Sequence, residues 1–178
     1  LKVYILKVDR EVRGKDTPVI VSRKNREIVK RLFELEIPEV MDGTVQIKAI
    51  SREPGVRSKV AVYSVDDQVD AVGSCVGPKG SRVEQIVDEL RGEKIDIIPW
   101  SSDPIEFIAA SLSAAKVIMV QINEDEHAAK VIVPDNQLSL AIGMRGINAK
   151  LAARLTGWKT DIKSQSQAQE MYDELLEQ

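Results

Sequence analysis

A chain of 178 residues with 43% apolar and 30% charged residues has globular composition and room for one ordinary domain or two small ones. One cysteine (Cys75) and one histidine (His127) exclude an internal disulfide and a zinc cluster and leave no evident nucleophile-base set, so neither a metal, a cofactor nor catalysis is expected. The net charge is −3; the missing apolar run of membrane-spanning length and the alternation of the first residues, LKVYILKVDREVRG, argue against a membrane segment or an export signal, and the lone cysteine suits a reducing cytoplasm.

The opening segment reads as a hairpin, with Val3 and Ile5 on one side of the turn-like Arg13-Gly14-Lys15-Asp16 and Pro18 to Val21 on the other, followed by a basic linker at Ser22-Arg23-Lys24. Two strands alone are not a stable unit, and a start at Leu1 inside a strand suggests a piece of something longer. Ile28, Val29, Leu32, Phe33 and Leu35 recur at helical spacing from Asn25 to Glu36, and Pro38 is expected to end that helix. Val45 to Ala49 and Val60 to Val62 alternate around Glu53-Pro54-Gly55, which predicts a second hairpin. A short apolar helix from Val69 to Val76, an interruption at Gly77-Pro78-Lys79-Gly80, a longer helix to Leu90 and a strand from Lys94 to Ile98 follow.

The same order then recurs. Asp103-Pro104 opens a helix to Leu112; Val117 to Ile122 and Val131 to Val133 form a hairpin; Leu138 to Ile142 is a short helix; Gly143-Met144-Arg145-Gly146 breaks it; Ala149 to Leu155 continues helical; and Lys159 to Ile162 closes as a strand. Gly77 and Gly80 match Gly143 and Gly146 at an offset of 66, and Gly92 matches Gly157 at 65. The expectation is an α+β chain with two successive small domains, residues 24–100 and 101–164, after the hairpin of 1–23 and before an acidic amphipathic helix in 165–178.

A tetrapeptide with glycine at both ends turns tightly, allows another backbone to approach and opens a helix whose amides and dipole favour an anion. Lys79, Arg82 and Arg145 add full charges there. One GxxG is equally a steric turn between helices; two in register, each between a short and a longer helix, predict the KH arrangement, in which the loop clamps about four nucleotides of single strand. The charge distribution supports this despite the acidic total: residues 1–31 hold ten bases and four acids, 48–63 four and one, and 136–163 five and one, while 164–178 holds four acids and no base.

Three stretches, IPEVMDGTVQIKAISREPGVRSKVAVYS, VDAVGSCVGPKGSRVEQIVDELRGEKIDII and VPDNQLSLAIGMRGINAKLAARLTGWKTDIKS, resemble the two KH domains of the NusA family of bacterial transcription elongation factors, from about Lys24 to Ser164. The resemblance implies tandem prokaryotic-type (type II) KH folds packed into one RNA surface, with residues 1–23 as the last strands of an OB-fold barrel. It implies binding of single-stranded nascent RNA in pausing, termination and antitermination. RNA polymerase is implied as a partner of the full-length protein, mainly through regions absent from this chain, and other elongation or antitermination factors are further candidates.

Carried over by motif, the RNA-binding residues are Gly77, Pro78, Lys79, Gly80 and Arg82, and Gly143, Met144, Arg145 and Gly146; Met144 stands where the family usually has lysine and Ile147 where it has glutamine, so the second loop is expected to be weaker. Arg52, with Arg57 and Lys59 around the Pro54-Gly55 turn, extends the RNA track or is simply a solvated hairpin charge, and Asn136 and Asn148 are candidates to read a base edge. Asp135 or Asn136 is the expected N-cap of the short second-domain helix, Cys75 a small buried hydrophobe, His127 a surface residue, and Trp100 and Trp158 packing residues. The rival readings are a KH module on ribosomal RNA, which a single KH domain would favour, and a KH scaffold for proteins, which an acidic insertion in GxxG would favour.

Overall fold

The computed structural model describes residues 1–9 and 18–178. The expected turn at Arg13-Gly14-Lys15-Asp16 lies outside the described residues. On either side of it β1 (Tyr4–Val8) and β2 (Val19–Ser22) pair antiparallel, with a register shift between Ile5 and Lys7. The hairpin leaves Ile5, Leu6, Ile20 and Val21 exposed and buries none of its strand residues fully. Arg23 anchors it: Nη2 donates to the Glu89 carbonyl at 2.6 Å, and Nη1 donates to the Glu89 carboxylate at 3.3 Å and to the Lys2 carbonyl.

In the first domain α1 (Arg26–Glu36) begins where the Asn25 side chain accepts the Glu27 N–H at 2.8 Å. It buries Ile28, Val29, Leu32 and Phe33, the expected stripe. Pro38 ends α1 but also opens a four-residue helix, α2 (Pro38–Met41), that the sequence reading missed. The N–H that proline lacks is not needed at a first helical position, so the residue that stops one helix starts the next. β3 (Val45–Glu53) and β4 (Arg57–Ser64) form the hairpin, α3 (Ala71–Val76) and α4 (Ser81–Glu89) flank the glycine loop, and β5 (Lys94–Pro99) returns parallel to β4. The core joins α1 to Val45, Val60, Val62, Cys75 and Ile86.

The second domain repeats this order with α5 (Pro104–Ser111), β6 (Met119–Asn123), β7 (Ala128–Val133), α6 (Leu138–Ile142), α7 (Ile147–Thr156) and β8 (Lys159–Ser164). Sheet orders β3-β4-β5 and β6-β7-β8 correspond, each with one antiparallel and one parallel pairing. The expected cap on α6 is absent. Gln137 is its N-cap and makes no side-chain capping bond, its Oε1 accepting the Lys116 N–H at 3.0 Å instead, whereas Asp135 accepts the Ser166 N–H at 2.9 Å and the Ser166 hydroxyl, pinning α8 (Gln165–Leu176) to the domain. Those bonds hold the Asp135 carboxyl below its ordinary range. Ser164 and Gln167 form a capping box at the start of α8, and its Met171, Tyr172, Leu175 and Leu176 remain exposed. Among the described residues no helix is long and apolar enough to cross a membrane.

The two domains share an interface. The first sheet carries α1, α3 and α4 on one face and receives the second domain on the other, where Ala61 and Ile98 pack with Phe107 and Leu155, and Trp100 lies against them. Alanines at 49 and 61 leave room for α7 to approach the strands. Buried Ser51 donates through Oγ to the Leu151 carbonyl at 2.8 Å, across 100 residues of sequence. Trp158 is buried in the second core and stacks on exposed His127 at 3.9 Å between ring centroids.

Cys75 is fully buried, and burial, reinforced by the Glu39 charge, pushes its thiol up to about 12. At pH 8 the folded thiol stays protonated, so iodoacetamide should leave Cys75 unmodified in native protein and label it fully in guanidinium; rapid labelling of native protein at pH 8 would contradict this burial. The unfolded thiol releases its proton first, near pH 8.5 to 9. Its contribution to stability therefore declines as pH rises from about 9 towards 12.

Candidate nucleic-acid interface

The two glycine loops are conformational copies. Gly77 has φ 76° and ψ 173°, Lys79 φ 54° and ψ 29°, and Gly80 φ 76° and ψ 10°; Gly143, Arg145 and Gly146 have 78° and 170°, 56° and 24°, and 73° and 12°. The first glycine of each loop occupies a region open essentially to glycine alone. Lys79 and Arg145 are held left-handed, a conformation that costs a side-chain-bearing residue roughly 1–2 kcal/mol. Both cations are exposed, as are Pro78 and Met144, the latter 83%. Each loop therefore presents a cation from a strained turn with little side chain around it.

The amides behave differently from the sequence expectation. Gly80 N–H donates to the Gly77 carbonyl at 3.1 Å and Ser81 N–H to that of Pro78; Gly146 and Ile147 do the same in the second loop. The 3₁₀ turn thus uses amides that a bare helix start would aim at an anion, which shifts the electrostatic weight to Lys79 and Arg145.

Arg82 and Asn148 lie five residues beyond the first glycines and reach back beneath the loops. Arg82 Nη1 donates to the Ser74 carbonyl and to Glu39 Oε2, both at 2.8 Å; Asn148 Nδ2 donates to the Ala141 carbonyl at 2.9 Å. They brace the last turns of α3 and α6. Asn148 is buried, which corrects the base-edge expectation to loop support; Arg82 supports its loop as well, with Nη1 on Glu39 and its side chain 28% exposed.

Arg52 is corrected more sharply. Its side chain is only 5% exposed and grips Glu93, 1% exposed, with Nε and Nη2 at 3.0–3.2 Å while Nη1 donates to the Asn25 carbonyl. Lys59 is wholly buried, with Nζ 2.9 Å from Asp96 and 3.4 Å from the Ser113 hydroxyl of the second domain. Burial lowers its pKa, with Asp96 working against the shift. Of the three hairpin charges only Arg57 reaches the surface, and its Nη1 is shared with Asp96 at 2.8 Å. A charge sequence around a turn looked solvated or ligand-facing because its partners lie some forty residues away.

A cleft of about 350 Å³ opens beside the second loop and crosses the domain joint. Leu140, Gly143, Met144 and Ile147 line it from the second domain, Val56, Arg57 and Lys94 from the first. An apolar floor with cations at the rim suits a base whose phosphates stay at the edge. Lys94 and Val56 were not expected at the site; nothing local in the sequence places them against a loop that begins 49 and 87 residues further on. Among the described residues no cluster of three or more His, Cys, Asp or Glu is arranged to hold a metal.

Comparison with known proteins matches residues 23–100 to the NusA-like first KH domain and residues 104–170 to the NusA-like second KH domain. The chain is 57% identical over 171 residues to the transcription termination/antitermination protein NusA of Halalkalibacterium halodurans, covering 96% of this chain and 44% of that protein. It is 59% identical over 171 residues to the protein of that name from Bacillus subtilis, covering 96% and 46%, and 50% identical over 164 residues to that of Mycobacterium tuberculosis, covering 92% and 47%. It thus spans less than half the length of these curated relatives. Among solved structures, the crystal structure of APE1850 superposes with a TM-score of 0.55 at 20% identity, over 77% of this chain and 96% of that one, a likeness of fold alone.

Proposed function

The chain belongs to the NusA family, and from that membership we propose that it is a single-stranded RNA-binding module that holds nascent transcript during termination and antitermination. The observation that carries the reading is the duplicated loop: two GxxG turns with the same backbone angles, each exposing one left-handed cation beside a braced short helix. Gly77, Pro78, Lys79 and Gly80 form one clamp and Gly143, Met144, Arg145 and Gly146 the other, on KH units divided near residue 100. The exposed apolar strands of the first hairpin support reading residues 1–23 as the end of an OB-type barrel. RNA polymerase and other elongation factors are the proposed company of the full-length protein, and the cytoplasm its place.

The test is binding of a labelled unstructured RNA of about a dozen nucleotides, sized for two four-nucleotide sites and their connection, by wild type, Lys79→Asp, Arg145→Asp and the double variant. Aspartate tolerates the left-handed region better than most residues, so the loops should keep their shape. Each single change should weaken binding about tenfold and the double about a hundredfold, with a shallower salt dependence. Wild-type affinity in the double variant would remove the loops from the interface.

A further inference from the structure

Among the described residues β3 is paired only with β4, and a groove runs along its other side. Three depressions of about 380, 290 and 480 Å³ succeed one another from Gly43 to Arg52. α1 forms one wall and gives Arg26 and Lys30; α7 of the second domain gives Arg154; Lys48 rises from the strand itself. Lys48 Nζ lies 5.2 and 5.1 Å from the ring centroids of Tyr63 and Trp100, which hold the ammonium without neutralising it.

The charge here is not an average of composition, since acids outnumber bases 28 to 25 in the whole chain. Elsewhere in the first domain Arg23, Arg52, Arg57, Lys59 and Arg82 each sit on a carboxylate. In the groove Arg26, Lys30 and Lys48 have no ion pair among the described residues, and Arg154 meets Glu53 only at 3.9 Å with both side chains about half exposed. Glu27 and Glu34 also line the groove, the latter bound to Arg31 at 2.8 Å.

An open strand edge with a basic rim suits either an added acidic strand or a polyanion. The β3–β4 register shifts between Ile47 and Ala49, so a bulge falls at Lys48. A bulge and a lysine are two devices by which an edge refuses a further strand, and they favour a phosphodiester backbone. The helix that follows the second loop reaches the groove: α7 carries exposed Lys150 and, one helical turn further on, exposed Arg154, which lines it.

We propose that the β3 edge is a second phosphate track, on which RNA leaving the second glycine loop continues along α7 and is held by Arg26, Lys30, Lys48 and Arg154. The proposal rests on the RNA-binding reading above and extends the footprint beyond the two loops.

The experiment compares a 12-nucleotide and a 30-nucleotide unstructured RNA on wild type and Lys30→Glu/Lys48→Glu by fluorescence anisotropy at several salt concentrations. The 12-mer should bind the variant within about twofold of wild type, while the 30-mer weakens about tenfold or more and its log–log salt slope falls by about 1.4, two phosphates' worth. Arg154→Glu should shift the 30-mer in the same direction. The neutral pair Lys30→Gln/Lys48→Gln, with a smaller loss confined to the 30-mer, keeps the test open if the reversal impairs folding. An unchanged 30-mer overturns the track, as does an equal loss for both lengths, which would mean a general change of field. Binding of polyglutamate that the variant abolishes while 30-mer affinity holds would overturn it in favour of an acidic protein segment. Wild type binding neither RNA would be a different failure, that of the RNA reading itself.

Discussion

Gly143→Ala is expected to lower stability by about 3–5 kcal/mol, the sum of a backbone region closed to alanine and an overpacked contact. An added Cβ would stand 2.7 Å from Asn148 Cβ and 2.8 Å from Asn148 N, and the backbone nitrogen of α7 cannot move aside without carrying the helix with it. Gly77→Ala meets Arg82 Cγ at 2.6 Å and Cβ at 2.9 Å, side-chain atoms that a rotation of Arg82 partly clears, so it should cost less. Gly146→Ala is the internal control: nothing lies within 4 Å of its Cβ position, and only the left-handed backbone is strained, for roughly 1–2 kcal/mol. In thermal denaturation the order of damage should be Gly143, Gly77, Gly146, with a fall of roughly 10 °C for the first at about 2–4 °C per kcal/mol for a chain of this size. Equal melting of the Gly143 and Gly146 variants would mean that the loops do not depend on the packing described.

What makes those glycines irreplaceable was only half legible in the sequence. Element order, the three hairpins and the GxxG repeat could be read because apolar periodicity and chain breakers are local signals. Pro38 misled because the same residue suits the end of one helix and the start of another. The roles of Arg52, Lys59 and Asn148 could not be read at all. Arg52 and Lys59 are decided by burial against a distant partner, Glu93 lying 41 positions from Arg52 and Asp96 37 from Lys59, and Asn148 by burial beneath its own loop, where it bonds the Ala141 carbonyl. The same holds for the joint between domains, where Ser51 meets Leu151. Alanines inside β3 and β4, at positions where strands favour larger side chains, were the one sequence trace of the helix that packs there. In the candidate site the exposed members of the loops were legible; the braces behind them and the cleft across the joint were not.

The largest single loss of stability should come from Glu93→Ala. Glu93 accepts from Arg52 Nε and Nη2, from Gly55 N–H at 2.7 Å and from the Ser58 hydroxyl at 2.8 Å, and it is 1% exposed. It therefore fastens the β3–β4 turn to the entry of β5, while Arg52 carries the connection on to Asn25 at the start of α1. A buried pair of this kind adds little over an apolar substitute, because desolvation of both ions offsets their attraction; removing one partner strands the other charge, at about 3–5 kcal/mol. Glu93→Ala leaves a guanidinium, a hydroxyl and an amide unmatched, so roughly 10 °C or more should be lost in thermal denaturation. Arg52→Met/Glu93→Leu removes both charges and should recover most of that loss. The comparison separates the two accounts of Arg52, since a solvated or RNA-facing arginine would leave Glu93→Ala within about 0.5 kcal/mol of wild type. RNA affinity supplies the second readout: the apolar pair should restore binding together with stability, because the network acts on the position of the strands beneath the cleft and does not itself touch the ligand. If stability returned but binding did not, Arg52 would again belong to the interface.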